Sequence, residues 1–282
     1  MDLLDALLDP WRSGIERRAL LEVMLLGGFS GALGFWITTF RLSYPAESLA
    51  HGMLPGLVVA ALAGLPLLLG GIGGVAAAAL AVAIAGRDPR IGSDTSTAVA
   101  VTGMLGLGGL LALAPEAPAR LEELLFGDPL GVTDGDLLVA AALSLVGGGS
   151  LIALHRPLCA VALDAQGAGS LGIPLTAVRL ALLGLLAVAL AVAVQGLGSL
   201  LVLAVLVAPA IAVRDLTNSP AAAIVAGSTL AVLAGIVGIY ASDAFGTAAG
   251  ASVALALCAA AGVGSAAQAV RGTGRLRSRT SQ

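Results

Sequence analysis

The chain has 282 residues, 58% hydrophobic and only 11% charged, with a formal net charge of −3. A water-soluble domain carries about 25% charged residues and under half apolar ones, so a pair of soluble domains is excluded, as is a solvated disordered chain. All 14 basic residues are arginine. Without lysine no G-x-x-x-x-G-K-[S/T] phosphate loop exists, so an ATP-driven machine built on this chain must take its ATPase from another polypeptide.

The opening segment Met1–Gly14, MDLLDALLDPWRSG, alternates acids with leucine and contains Trp11. Its flanks are not basic, which argues against a signal peptide and for an amphipathic helix lying at a membrane interface. A lipid-spanning helix needs about 20 apolar residues. Nine stretches qualify: 19–40, 48–65, 67–86, 95–114, 136–154, 176–195, 197–213, 219–240 and 248–270. The second and third part only at Gly64 and Pro66, and the seventh is short, so eight spans with one re-entrant segment is the alternative. The chain thus divides into an interfacial helix (1–14), an all-α polytopic membrane domain (15–270) and an Arg-rich cytoplasmic tail (271–282) expected to be disordered.

Arginines orient the spans. With nine passes, Arg41, Arg87, Arg90, Arg156, Arg179, Arg214, Arg271, Arg275, Arg277 and Arg279 share one side, which is taken as cytoplasmic. Arg12, Arg17, Arg18 and Arg120 share the other with Glu116, Glu122, Glu123, Asp128, Asp134 and Asp136. The C-terminus is then inside. The 39 glycines, with abundant alanine, let helices approach closely in lipid. Spans before and after Asp134–Pro174 suit two four-helix halves of opposite topology, although no sequence repeat relates them.

Ionisable residues inside lipid are costly and therefore functional candidates. In Arg41–Gly56, RLSYPAESLAHGMLPG, Glu47 and His51 are spaced i and i+4, on one helical face about a turn apart. Carboxylate plus imidazole suits a borderline divalent cation such as Zn²⁺ or Mn²⁺. Two protein ligands fit transient passage, with water or a symmetry-related copy completing the shell; a structural Glu–His hydrogen bond is the alternative. Pro45 starts this helix and Pro55 interrupts it. Elsewhere, Asp94 with Thr95 and Ser96 reads as a cap for the next span. Glu22 and His155 read as water-facing, Asp243 as lying in an outer turn, and Gln195 and Ser199 as polar glue. Cys159 and Cys258, far apart, read as packing residues. The connection His155–Pro174 should hold a short helix at about Ala160–Leu171, stopped by Gly172 and Pro174.

In order along about Ala19–Val270, these segments resemble the permease subunit of the zinc/manganese/iron ABC importer family. RLSYPAESLAHGMLPG resembles the family's Asp-Ala-Leu-Ser/Ala-His stretch, SDTSTAVAVTG its Asp-Thr-Ala segment, and LEELLFGDPLGVT its outer Leu-Phe-Gly-Asp turn. ALDAQGAGSLGIP resembles its cytoplasmic coupling helix and LLVLAVLVAPAIAVR its proline-bearing late span. The resemblance implies a type II ABC importer-like permease, homodimeric or paired, with two cytoplasmic ATPase subunits and an extracytoplasmic metal-binding protein. It implies that Glu47 and His51 contact the passing cation, Glu standing where the family has Asp. It also places Asp164, Gln166, Gly169 and Gly172 at the coupling to the ATPase. The resemblance further implies that no cofactor is bound permanently, that the chain itself is no enzyme, and that the cargo is a divalent metal, zinc first, then manganese or iron. A proton-coupled secondary transporter, a permease for a larger chelate and a membrane scaffold are the competing readings.

Overall fold

The computed structural model describes residues 11–85, 92–115, 127, 129–214 and 216–280, and within them every regular element is helical. The helices are α1 (Gly14–Thr39), α2 (Ser43–Gly52), α3 (Leu54–Leu62), α4 (Leu67–Ala85), α5 (Ser93–Ala112), α6 (Asp134–Leu163), α7 (Ala165–Ser170), α8 (Leu175–Val213), α9 (Pro220–Phe245) and α10 (Ala249–Thr280). Local chemistry sets their starts. The Ser13 hydroxyl accepts from Glu16 N–H, and the Ser219 hydroxyl from Ala222 N–H just ahead of Pro220. Thr133 and Asp136 form a reciprocal capping box: Thr133 Oγ1 accepts from Asp136 N–H, and the Asp136 carboxylate accepts from Thr133 N–H. The expected cap at Asp94 is displaced, because α5 already begins at Ser93 behind Gly92.

Among the described residues seven stretches are long and apolar enough to cross a membrane, and Val202–Val213 is a shorter apolar run. On α6, Leu138, Leu145 and Ile152 recur every seven residues and are each more than 70% exposed. Such a stripe is solvated only by lipid. The chain is a multi-pass membrane protein.

Close helix contacts give the direction of each pass. Arg18, near the start of α1, meets Asp134 at the start of α6. That end of the bundle is termed the amino end, and the end where α1 finishes the carboxy end. From Asp134, α6 runs 30 residues toward the carboxy end, about 45 Å at 1.5 Å per residue. It overruns a hydrocarbon core of about 30 Å and carries His155–Leu163 out with it. The anticipated connector is therefore mostly helix, and the separate surface helix shrinks to Ala165–Ser170. Pro157 lies inside α6 without ending it.

From Leu175, α8 returns to the amino end, where Gly196 lies against the Glu22 side chain. At Gly198 the backbone leaves the helix (φ 72°, ψ 158°). Leu206 then lies against Gly34, twelve residues further along α1 than Glu22, and Ala212 lies against Gly264 of α10. The chain has reversed, so α8 is two antiparallel limbs, 175–197 and 199–213. This is the division expected between the sixth and short seventh spans. Only Gly tolerates that φ without strain. In the same way α2 and α3 together make one pass and α4 returns, since Gly52 meets Ala78 and Gly56 meets Gly70.

Alpha1 is the central helix. It buries Ala19, Leu20, Val23, Leu26, Leu33, Trp36 and Ile37, and it packs on α6, α8 and α9. Along the α1–α9 seam Gly27 faces Ala231, Gly31 faces Gly227 and Ser228, and Gly235 faces Val23. These small residues at four-residue spacing bring two backbones into contact, and Ser228 Oγ donates to the Gly28 carbonyl at 2.8 Å. Alpha1 ends in a Schellman pattern, with Arg41 N–H bonded to Thr38 O and Leu42 N–H to Ile37 O. Arg41 occupies the left-handed position (φ 57°) where glycine is usual. The anticipated interfacial helix lies largely outside the described residues, and α10 continues past residue 270 to Thr280.

Candidate functional site

Glu47 and His51 both lie in α2, so the i, i+4 spacing places them on one face. Ala46 and Ala50, about 100° round the helix, are fully buried and anchor it against α4, α5 and α8. Glu47 is exposed on the bundle surface, His51 is half-buried, and Tyr44 on the same side is also exposed. A carboxylate on the flank of a membrane bundle is expensive if lipid covers it. This face is polar where its neighbours are apolar.

Just beyond His51 the pass is broken. Alpha2 ends at Gly52, Met53 is the junction, and α3 restarts at Leu54 with Pro55 in its first turn. Proline has no N–H, so the His51 carbonyl loses its i+4 donor. The Met53 N–H keeps its ordinary helical bond to Leu49 O at 3.1 Å and is the one N–H also directed at the His51 carbonyl. The break is held by backbone: Gly74 packs on Met53 and Gly56 on Gly70 and Gly74, at distances that leave no room for a side chain. Thus an imidazole, a carboxylate and a weakly satisfied carbonyl sit near the middle of a discontinuous pass. Among the described residues no cluster of three or more His, Cys, Asp or Glu side chains occurs. Among the described residues the chain itself offers a pair of ligand-type side chains and no more.

The coupling candidates gather at the carboxy end. Asp164 (φ −151°, ψ 98°) caps α7, its Oδ1 accepting from Gln166 N–H at 3.0 Å. Gln166, Gly169 and Gly172 are all exposed, and Ala168 alone anchors the six-residue helix. Gly172 (φ 81°) closes it, with Gly172 N–H on Gly169 O and Ile173 N–H on Ala168 O. Leu163 and Leu171, 88% and 82% exposed, flank this turn.

Other candidates moved. His155 is half-buried rather than solvated, 5.6 Å from the Trp36 ring and with Nε2 3.7 Å from Cys159 Sγ. Both cysteines are free. Asp243 is exposed in the last turn of α9. The side chains of Gln195 and Ser199 fall outside the described residues. Glu22 departs furthest from expectation, being 2% exposed rather than facing water. The available signal was its helical spacing, since it falls on the stripe of Ala19, Val23 and Leu26 that α1 turns inward.

A many-pass helical bundle with a broken pass bearing ligand-type side chains and a short exposed helix at one end defines a membrane-embedded transport component. The chain belongs to the ABC 3 transport family, whose profile matches residues 14–267. It is similar to the manganese transport system membrane protein MntC of Halalkalibacterium halodurans, with 28% identity over 240 residues, 85% of this chain and 82% of that one. It is also similar to the chelated iron transport system membrane protein YfeD of Yersinia pestis, with 26% identity over 241 residues, 84% and 80% of the two chains. Among solved structures, PsaBC from Streptococcus pneumoniae in complex with Fab aligns with TM-score 0.86 and 24% identity. That match covers 93% of this chain and 95% of the other, and it speaks for the fold. Membership makes the chain a transport component and not an enzyme.

Proposed function

We propose that this chain is the permease of an ATP-driven importer of divalent transition metal ions, with manganese and iron ahead of zinc. The carrying observation is the Glu47–His51 pair, an exposed carboxylate and a half-buried imidazole on one face of α2. A second permease copy on that face removes the cost of a lipid-facing carboxylate and supplies further ligands. Zinc falls behind because the relatives carry manganese and iron in their names. The nitrogen and oxygen ligands suit all three ions.

The carboxy end is cytoplasmic in this reading, since Arg41, Arg156, Arg179 and Arg214 lie there with the arginines of the tail, against Arg12, Arg17 and Arg18 among the described residues of the amino end. A plasma membrane of a bacterial cell is the setting. The exposed helix α7, with Leu163 and Leu171 beside it, fits a groove on a cytoplasmic ATPase. Asp164 holds the helix closed while Gln166, Gly169 and Gly172 meet the partner. An extracytoplasmic binding protein docks at the amino end and releases its metal toward Glu47 and His51. ATP binding, felt through α7, then moves the helices against one another and opens the pair to the cytoplasm.

The test is uptake of Mn²⁺ and Fe²⁺ into proteoliposomes holding the permease with its ATPase, fed by loaded binding protein. Uptake that requires internal ATP and resists a protonophore supports the reading. Uptake that continues without ATP and stops with a protonophore overturns it in favour of a proton-coupled carrier.

A further inference from the structure

At the carboxy end of the bundle a cavity of about 360 Å³ opens between the end of α1 and the end of the second α8 limb. Ligand pockets begin at roughly 300 Å³. Its lining is Phe35, Thr38, Thr39, Arg41, Ala210 and Arg214, so two arginines from different helices share one space that no acid of the lining balances. The metal path has no use for such a cavity, since two guanidiniums repel a divalent cation.

An arginine at the end of a helix ordinarily serves the last carbonyls. Here those carbonyls already have donors. On α1 the Thr38 hydroxyl is shared between Gly34 O at 2.9 Å and Phe35 O at 3.0 Å, and Thr39 Oγ1 donates to Phe35 O at 2.7 Å. The N–H groups of Phe40, Arg41 and Leu42 take the carbonyls of Trp36, Thr38 and Ile37. On the second α8 limb Gln268 Nε2 donates to Ile211 O and Ala212 O, both at 3.0 Å, while Val213 O accepts from Leu216 N–H and Thr217 Oγ1. The negative poles of both helices are quenched from within. Among the described residues neither the Arg41 nor the Arg214 guanidinium is joined to a carboxylate or a carbonyl. Arg41 is moreover held at φ 57°, where any side chain is strained and glycine is not. Strain of this kind gathers where a side chain serves a ligand.

We infer that this cavity binds a phosphate group between the Arg41 and Arg214 guanidiniums, and that the bound anion ties the end of the central helix α1 to the end of the second α8 limb. Guanidinium forks match the oxygens of a phosphate. The 26 residues of α1 extend about 39 Å at 1.5 Å per residue, past a hydrocarbon core of about 30 Å, so a cavity at its end lies at headgroup depth. A phospholipid headgroup and a free phosphate from solution present the same oxygens there. Such binding needs neither the transported ion nor the ATPase, and the site stands apart from Glu47 and His51.

The experiment uses the purified full-length permease, stripped of lipid in detergent, and reads native mass spectra and thermal melting against added phosphatidylglycerol and, separately, inorganic phosphate, with sodium chloride holding the ionic strength constant. Binding should raise the melting temperature of the parent. Arg41→Gly should weaken binding by about tenfold or more, yet melt at or above the parent without ligand, because it removes the guanidinium and the left-handed strain together. Arg214→Ala should weaken binding to a similar extent. Arg179→Ala, exposed at the same end but outside the cavity, should bind as the parent does. A response to phosphatidylglycerol alone makes the ligand a headgroup, and an equal response to inorganic phosphate makes it a free phosphate; either supports the site. No response to both, or parental binding in both Arg41→Gly and Arg214→Ala, overturns the inference. So does an equal loss in Arg179→Ala, the result expected of general attraction between a basic membrane face and anionic lipid.

Discussion

Alanine at Gly31 puts a methyl group against the backbone of α9 in the α1–α9 seam. Its Cβ would lie 2.7 Å from Ser228 Cα, 2.8 Å from Ser228 N and 2.8 Å from Gly227 O, where ordinary contact begins near 3.4 Å. Those neighbours are backbone, so the two helices must part by about 0.6 Å, and the Ser228–Gly28 hydrogen bond stretches with them. Overpacking of this kind costs about 1–3 kcal/mol. The gain in helix propensity of alanine over glycine, about 1 kcal/mol, offsets part of it. Gly28 provides the control on the same helix. Its Cβ meets only Val232 Cγ2, at 3.7 Å, so Gly28→Ala keeps the propensity gain with no clash. The two variants should differ by about 1–3 kcal/mol in opposite directions from the parent. Thermal melting of the purified protein in one detergent checks this: Gly31→Ala below the parent, Gly28→Ala at or above it. Equal melting temperatures, or the reverse order, would refute the claim that backbone contact between α1 and α9 sets the stability of the bundle.

Three further outcomes follow from the two functional regions. Asp164→Ala removes the cap on Gln166 N–H, costs about 1 kcal/mol locally and should lower ATPase stimulation while leaving membrane insertion normal. Gly172→Ala forces a Cβ into the left-handed region, about 1–2 kcal/mol, and should weaken copurification of the ATPase; undiminished copurification counts against docking there. Glu47→Asp shortens the ligand by one methylene while keeping its charge and should shift the Mn²⁺-to-Zn²⁺ preference in competitive uptake. An unchanged preference would argue that Glu47 does not touch the ion.

The passes were legible because apolar length is nearly all a membrane asks of a helix. Even the reversal in α8 was written in the sequence, as Gly196 and Gly198 between two apolar runs, the second too short to span alone. What escaped depended on partners distant in the chain. His155, Arg156 and Pro157 looked like the end of a span, yet α6 continues through them, since one proline removes a single helical bond and the packing of Leu158 and Val161 holds the rest. Glu22 looked like an end residue, and only the approach of Gly196 shows that it is enclosed. Arg41 occupies a left-handed position without the glycine that would have announced it. The spacing of Glu47 and His51 was plain from the start. Their surroundings were not: Glu47 is exposed on the bundle surface while His51 is half-buried.

Metal uptake by the reconstituted permease, ATPase and binding protein, with Glu47→Ala and His51→Ala introduced one at a time, tests the central claim most directly. Each variant should insert and assemble normally, and each should lose ATP-dependent uptake of Mn²⁺. Uptake at the parental rate in both variants would contradict the claim that this pair lines the path of the ion.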